Sequence, residues 1–136
     1  MSEVGDNILA EEICRQYLEA LNEGNLEKIL SLFDSDAVVV SPLYGEMPAA
    51  KFYKDLFADT SRSETRLLNI FNSVSGSSDM VLHFHYLWTL KNGKTVEFEC
   101  VDVLEISSKS NKIKRLKIIY DTAPISDDFH ENQALP

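Results

Sequence analysis

The sequence has little of several features that would assign a function directly. It has only two cysteines, Cys14 and Cys100, which lie far apart and form no metal-binding spacing. We therefore expect two unpaired structural thiols in a reducing compartment. No apolar run approaches the roughly 20 residues that cross a bilayer, and the acidic start lacks the basic and apolar regions of a secretory signal. These absences predict a cytoplasmic protein with no membrane partner.

Basic residues are also scarce. Thirteen Lys and Arg stand against 22 Asp and Glu, which leaves a formal net charge of −9 at pH 7. That balance repels phosphate groups, so we expect no nucleic-acid partner. The 136 residues are 44% apolar and 26% charged, which is typical of a globular protein and of the length of one domain. We therefore treat residues 1–136 as a single domain.

Three helices are predicted in the first part of the chain. The best marked is residues 6–23, where apolar side chains recur at four-residue steps on one face. Gly24 and Asn25 are suited to end that helix and to cap the next one. The predicted elements of this part are helices at 6–23, 25–33 and 48–58 and a strand at 37–40, with a turn at 34–36.

Long strands are predicted in the second part of the chain. Runs rich in β-branched and aromatic residues occupy 66–74, 80–90, 95–106 and 113–120. Helices followed by an antiparallel meander predict an α+β fold, with the helices covering one face of a curved sheet. The final segment, 124–136, is acidic and weakly apolar, so we expect a loose tail.

Asp102 interrupts the apolar face of the third long strand. The residues at two-residue steps on either side of it are Val96, Phe98, Cys100, Leu104 and Ile106. A buried carboxyl either stays neutral with a raised pKa or finds a donor that holds it ionised. Either state would place one polar group in an apolar cavity, as in many small-molecule sites. The alternative is an aspartate that binds backbone amides at a bulge.

Tyr17 is the second candidate residue. It lies in the apolar stripe of the first helix, and a buried phenol needs a hydrogen-bond partner. The alternative is a core tyrosine bonded to a backbone carbonyl.

The stretch QYLEALNEGNLEKILSLFDSDAVVVSP, residues 16–42, resembles the opening of the nuclear transport factor 2-like superfamily. Its ketosteroid isomerase and SnoaL-like polyketide cyclase branches are the most similar. GKTVEFECVDVLEI and NKIKRLKIIYD resemble the last two strands of that superfamily, so the resemblance covers about residues 8–122. It implies a cone-shaped fold, in which a strongly curved, mostly antiparallel sheet wraps over three N-terminal helices and leaves a pocket between them.

The resemblance also implies roles for particular residues. Tyr17 matches the isomerase tyrosine that donates a hydrogen bond to the substrate oxyanion, and Asp102 matches the protonated aspartic acid that donates the second. The isomerases carry their general base just before the proline that ends the first strand, where this chain has Ser41. A serine hydroxyl cannot accept a proton at neutral pH as a carboxylate can. Glu46 and Asp121 are possible substitutes, against the alternative that both are surface carboxylates.

Side chains on the inward faces are expected to line the pocket with Tyr17 and Asp102. They are Ser41, Phe57, Phe84, Tyr86, Trp88, Phe98, Cys100, Leu116, Ile118 and Tyr120. His83 and His85 share the opposite face and lack a third ligand, so we expect no metal site. Apolar residues on that outer face, as in the superfamily, predict a homodimer contact there.

These features support two main hypotheses. The first is an enzyme without a cofactor, an isomerase, cyclase or dehydratase that holds a small, mostly apolar carbonyl or phenolic ligand in a Tyr17/Asp102 oxyanion hole. The second is a non-catalytic module that binds the same kind of molecule, because Ser41 replaces the base. A protein-interaction module is a third hypothesis, which rests on fold analogy alone.

Overall fold

The computed structural model describes residues 3–134. Its elements in chain order are α1 (Glu3–Glu23), α2 (Leu26–Leu30), β1 (Phe33–Ser41), β2 (Gly45–Pro48), α3 (Ala49–Ala58), β3 (Thr60–Asn72), β4 (Met80–Leu90), β5 (Thr95–Ile106), β6 (Ile113–Ile119) and α4 (Ser126–Gln133). Within these residues, no helix combines the length and the apolar character that a membrane span requires.

The strands form one open, curved sheet in the order β2-β1-β6-β5-β4-β3. β1 runs parallel to β6, and the other neighbouring strands pair antiparallel. Helices α1 and α3 pack against the sheet. The predicted α+β cone, with a mostly antiparallel sheet over N-terminal helices, is confirmed.

The alternation of side chains on the long strands decides which face of the sheet meets the helices. On β4 every second residue is buried and the residues between them are half-buried. The buried set is Met80, Leu82, Phe84, Tyr86, Trp88 and Leu90. β5 continues this face, because Phe84 pairs with Cys100 and Leu82 with Asp102. The hairpin between the two strands turns at Gly93, whose φ of +90° favours glycine.

The N-terminal half differs from the sequence prediction in its element bounds. α2 ends at Leu30, and β1 already begins at Phe33 and runs through the predicted turn at 34–36. Phe33 pairs with Ile113 on β6, and the pairing shifts register before Val38. Two strand segments were missed: β2 and the first residues of β3. Both are mostly polar and exposed, so they carry no apolar alternation that would mark a strand.

The prediction of a loose C-terminal tail is wrong for most of that segment. Residues Ser126–Gln133 form α4, and Phe129 and Asn132 are buried. The Asn132 amide oxygen accepts the backbone N–H of Asn92 at 2.9 Å, and its amide nitrogen donates to the Asp59 carbonyl at 3.1 Å. These are contacts between residues distant in sequence, so local composition did not reveal them. Residues 135 and 136 lie outside the described residues.

Candidate functional site

Asp102 lies in the middle of β5 with its side chain on the face that meets the helices. It is 1% exposed. Its backbone pairs with Leu82 on β4 and Ile118 on β6 in regular register, so it does not sit at a bulge. One carboxyl oxygen, Oδ1, accepts the thiol of Cys100 at 3.2 Å. Within residues 3–134 the other oxygen, Oδ2, is buried and has no hydrogen-bond partner.

Burial also changes the acidity of this carboxyl. Loss of hydration raises the pKa of Asp102 to about 7, and the neighbouring Cys100 thiol and Tyr17 hydroxyl act in the opposite, weaker direction. The hydrogen bond of the Tyr17 hydroxyl is made with another side chain. A carboxyl with a pKa near 7 is present in both forms at neutral pH, so it can donate or accept a proton there.

The partner of Tyr17 is a second buried phenol. Its hydroxyl shares a 2.7 Å hydrogen bond with the hydroxyl of Tyr53 on α3, and either oxygen can be the donor. Tyr17 therefore does not bind a backbone carbonyl, which was the alternative. When Tyr53 donates, the hydrogen of the Tyr17 hydroxyl is free for a further acceptor. Burial raises the pKa of both phenols well above the ordinary value, so both stay neutral.

These groups meet at a cavity between the sheet and the helices. The cavity has a volume of about 40 Å³. At roughly 10–15 Å³ for each water, that is room for about three water molecules. The lining residues are Tyr17, Leu21, Ser41, Tyr44, Phe52, Leu56, Phe84, Tyr86, Trp88, Phe98, Cys100, Asp102, Ile118 and Tyr120. Eight of these fourteen are aromatic, and Asp102 alone is ionisable as a carboxylate. The cavity is thus small and apolar, with one acid in its wall.

Neither possible substitute for the missing base lines this cavity. Glu46 is exposed on β2 and lies 3.4 Å from the guanidinium of Arg115. Asp121 is exposed and accepts the N–H of Ala123 at 3.0 Å. Ser41, which the sequence resemblance aligns with the isomerase base, is buried, and its hydroxyl oxygen accepts the N–H of Tyr44 at 3.4 Å. Asp102 is therefore the carboxyl available for proton transfer in the cavity.

Comparison with known proteins identifies the family. The model of the SnoaL-like domain matches residues 14–116, which include Tyr17, Asp102 and most of the cavity wall. The chain belongs to the SnoaL-like domain family. No curated protein matches this SnoaL-like domain in sequence.

Solved structures share its fold at low sequence identity. TerC co-crystallised with polyporic acid is 16% identical with a TM-score of 0.74, and the match covers 90% of this chain and 98% of TerC. AclR, a putative hydroxylase from Streptomyces galilaeus, is 16% identical with a TM-score of 0.72, covering 96% and 99%. A hypothetical protein with a ketosteroid isomerase-like fold from Catenulispora acidiphila, in complex with trimethylamine, is 13% identical with a TM-score of 0.73, covering 92% and 98%. At these identities the likeness shows the fold.

The structure brings ten of the twelve predicted site residues of this SnoaL-like domain to the cavity wall. The exceptions are Phe57 and Leu116. Phe57 lies one residue beyond the cavity-facing Leu56 on α3, so its side chain turns away, and its ring packs 6.2 Å from that of Tyr53. Leu116 is fully buried on β6 opposite Leu104, in the core behind the cavity.

Sequence reasoning missed the cavity residues Leu21, Tyr44, Phe52 and Leu56 and the phenol partner Tyr53. Phe52 and Leu56 are four residues apart on α3, so their shared face was readable, but its contact with the cavity was not. Tyr44 lies in the turn between β1 and β2, where no periodic pattern marks a buried side chain. Its hydroxyl donates to Asp59 Oδ2 at 2.5 Å, which fixes the ring beside the cavity.

The outer sheet face of the SnoaL-like domain carries two pairs of histidine and glutamate side chains. His85 Nε2 lies 2.6 Å from a carboxyl oxygen of Glu97, and His83 Nε2 lies 3.3 Å from Glu99. Both pairs join β4 to β5. Among the side chains that the structure describes, those of residues 9–134, no group of three histidine, cysteine or acidic residues is arranged to hold a metal ion. The same face exposes Ile119, at 46%, as the last residue of β6.

Proposed function

We propose that the cavity of this SnoaL-like domain binds a small, mostly apolar carbonyl or phenolic ligand through its oxygen. The observation that carries the proposal is the buried, unpartnered Oδ2 of Asp102 in an aromatic wall. Such an atom costs free energy unless something binds to it. In its protonated form Asp102 can donate to a ligand oxygen, and Tyr17 can donate to the same oxygen while it accepts from Tyr53.

The catalytic form of this proposal is an isomerase, cyclase or dehydratase that needs no cofactor. In this form Asp102 is ionised, and the Tyr17 hydroxyl, which accepts from Tyr53, is the donor that stabilises the negative charge developing on the ligand oxygen when a proton leaves the carbon beside a carbonyl. Since no other carboxyl lines the cavity, ionised Asp102 is the group that would take that proton. In an isomerisation it would return the proton to another carbon of the same molecule, so no further reagent is consumed.

A non-catalytic binding module is the second candidate. It is favoured by Ser41 at the position of the isomerase base and by the exposed positions of Glu46 and Asp121. With one carboxyl, the site cannot hold a protonated donor and an ionised base at the same moment. In that case the ligand is bound by the same oxygen contacts and released unchanged.

Two structural relatives support a small-molecule site in this fold. One was co-crystallised with polyporic acid and another was found with trimethylamine. We also propose, from the sequence, a cytoplasmic location and a homodimer formed through the outer sheet face.

The experiment is a titration followed by the fluorescence of Trp88, the single tryptophan, which lines the cavity. Phenol and cyclohex-3-enone are small enough to use as probes. A 3-oxo-5-ene steroid tests whether the cavity can widen to bind a larger ligand. Tyr17→Phe and Asp102→Asn should each weaken binding about 2- to 10-fold, the cost of one hydrogen bond. Asp36→Asn, an exposed change of the same kind, should leave binding unchanged.

Turnover separates the two candidates. Conversion of cyclohex-3-enone to its conjugated isomer is followed by ultraviolet absorbance, and Asp102→Asn should abolish it if the domain is an isomerase. Binding that depends on Asp102 without conversion of any ketone supports the binding module. No change in Trp88 fluorescence with any probe would contradict both the isomerase and the binding module.

A further inference from the structure

Among the residues that the structure describes, the cavity wall contains no basic residue. Its one ionisable group of low ordinary pKa is Asp102, and the whole chain carries a net charge of −9. An anionic ligand would therefore enter without a counter-charge, which is unfavourable in a site of low dielectric. A positively charged ligand would find a counter-charge in ionised Asp102, because its Oδ2 is unpartnered and no basic residue of the described wall competes for it.

The remainder of the wall suits a cation as well. The rings of Tyr86 and Phe98 stack with their centroids 5.3 Å apart, and the ring centroids of Phe98 and Tyr120 are 4.6 Å apart. Trp88 adjoins them, with its centroid 6.2 Å from that of Tyr86. Aromatic rings attract alkylammonium ions, by on the order of tenfold in affinity for a well-placed ring in a desolvated site.

From these observations we propose that the ionised form of Asp102 makes this cavity a site for a small organic cation of the alkylammonium or quaternary ammonium class. The proposal rests on the proposed function in one respect, that the cavity is a ligand site. It adds a second ligand class, selected by the ionisation state of one carboxyl. Room for about three waters is close to the size of a methylated ammonium group, so the cation must be small.

The titratable groups around Asp102 stay neutral near neutral pH, so the ionisation of Asp102 alone selects between neutral carbonyl ligands and cations. Those that influence it or are influenced by it from neighbouring elements are Cys14, Tyr17, Tyr53, Tyr86, Cys100 and Tyr120. All are thiols or phenols whose pKa is raised by burial, so they stay neutral between pH 5 and 9. Neutral carbonyl ligands should therefore bind better below pH 7, and cations better above it.

The test compares choline with its uncharged carbon analogue, 3,3-dimethylbutan-1-ol, by Trp88 fluorescence. At pH 8.5 choline should bind at least about tenfold more tightly than the alcohol. At pH 5.5 only about 3% of a carboxyl with a pKa of about 7 is ionised, so the affinity for choline should fall about 30-fold. The affinity for the alcohol should change little. Equal binding of the two probes, or choline binding that does not fall at pH 5.5, would overturn the proposal.

Two variants, and phenol as a third probe, distinguish failure of the cation site from failure of the proposed function. Asp102→Asn should remove the preference for choline and its pH dependence, whereas Asp36→Asn, which makes the same charge change on the surface, should keep both. If Asp102→Asn does not fold, the paired probes at two pH values still decide the question. Phenol binding without choline binding overturns the cation site and leaves the proposed function standing. Absence of binding by phenol, ketone, choline and alcohol removes both.

Discussion

The buried Asp102 carboxyl should make this domain less stable as the pH rises from 4 to 8. Its pKa is about 7 in the folded protein against an ordinary value of 3.8. Between these values the unfolded chain loses its proton while the folded chain keeps it, so ionisation favours unfolding. The destabilisation that Asp102 causes is absent below pH 3.8, grows between pH 3.8 and pH 7 and is complete above pH 7.

The size of the effect follows from the pKa difference. From 3.8 to about 7 at about 1.4 kcal/mol for each unit, ionisation of Asp102 costs about 4 kcal/mol of folding free energy above pH 7. Asp102→Asn keeps the shape of the side chain and cannot ionise. The variant should therefore match the parent near pH 4 and become more stable than it by up to about 4 kcal/mol at pH 8.

Urea denaturation at pH 4, 5.5, 7 and 8.5 measures this difference. Other carboxyls also change stability with pH, so the informative quantity is the free energy of unfolding of Asp102→Asn minus that of the parent at each pH. Asp36→Asn, an exposed change, should show a difference within about 0.5 kcal/mol that does not grow through this window. A difference for Asp102→Asn that is constant across the range would refute the burial argument.

Three further predictions concern the phenol pair at the cavity, the docking of α4 and the outer sheet face. Tyr53→Phe should destabilise the fold by about 1–3 kcal/mol, because it leaves the buried Tyr17 hydroxyl without its 2.7 Å partner; urea denaturation gives the value, and a loss below 0.5 kcal/mol would contradict it. Phe129→Ala should release α4, since its ring packs 5.0 Å from Tyr44; amide hydrogen exchange should speed up across Ser126–Gln133 while β4 stays protected, and unchanged exchange would count against this docking. Val103 lies on the outer face of β5, since its neighbours Asp102 and Leu104 are the buried residues there. Val103→Lys should convert a dimer to a monomer in light scattering at unchanged helix content, and a parent that is monomeric at every concentration would exclude that dimer.

The sequence predicted the sheet well because strands reveal their buried face by alternation. Asp102 was recognisable because it is the polar exception in a set of apolar residues at two-residue steps, and the structure buries it. The bounds Met80–Leu90 and Thr95–Ile106 agree with the predicted strands at 80–90 and 95–106 for the same reason. Periodicity of this kind is a local property, so one sequence contains it.

The remaining parts depend on contacts between distant residues. Tyr53 became the partner of Tyr17 only because α1 and α3 pack together, which no local pattern states. Tyr44 lines the cavity from a turn, and Phe129 packs against Tyr44 from a segment whose composition resembles a loose tail. Predicting these positions from one sequence would have required the packing of the helices on the sheet, beyond the pattern of each element.

A crystal structure of the protein soaked with phenol at pH 6 tests the central claim most directly. At that pH most of Asp102 is protonated. We expect density for one phenol in the cavity, with its oxygen within about 3 Å of Asp102 Oδ2 and near the Tyr17 hydroxyl. A cavity without phenol, with Oδ2 bonded instead to another group of the protein, would contradict it.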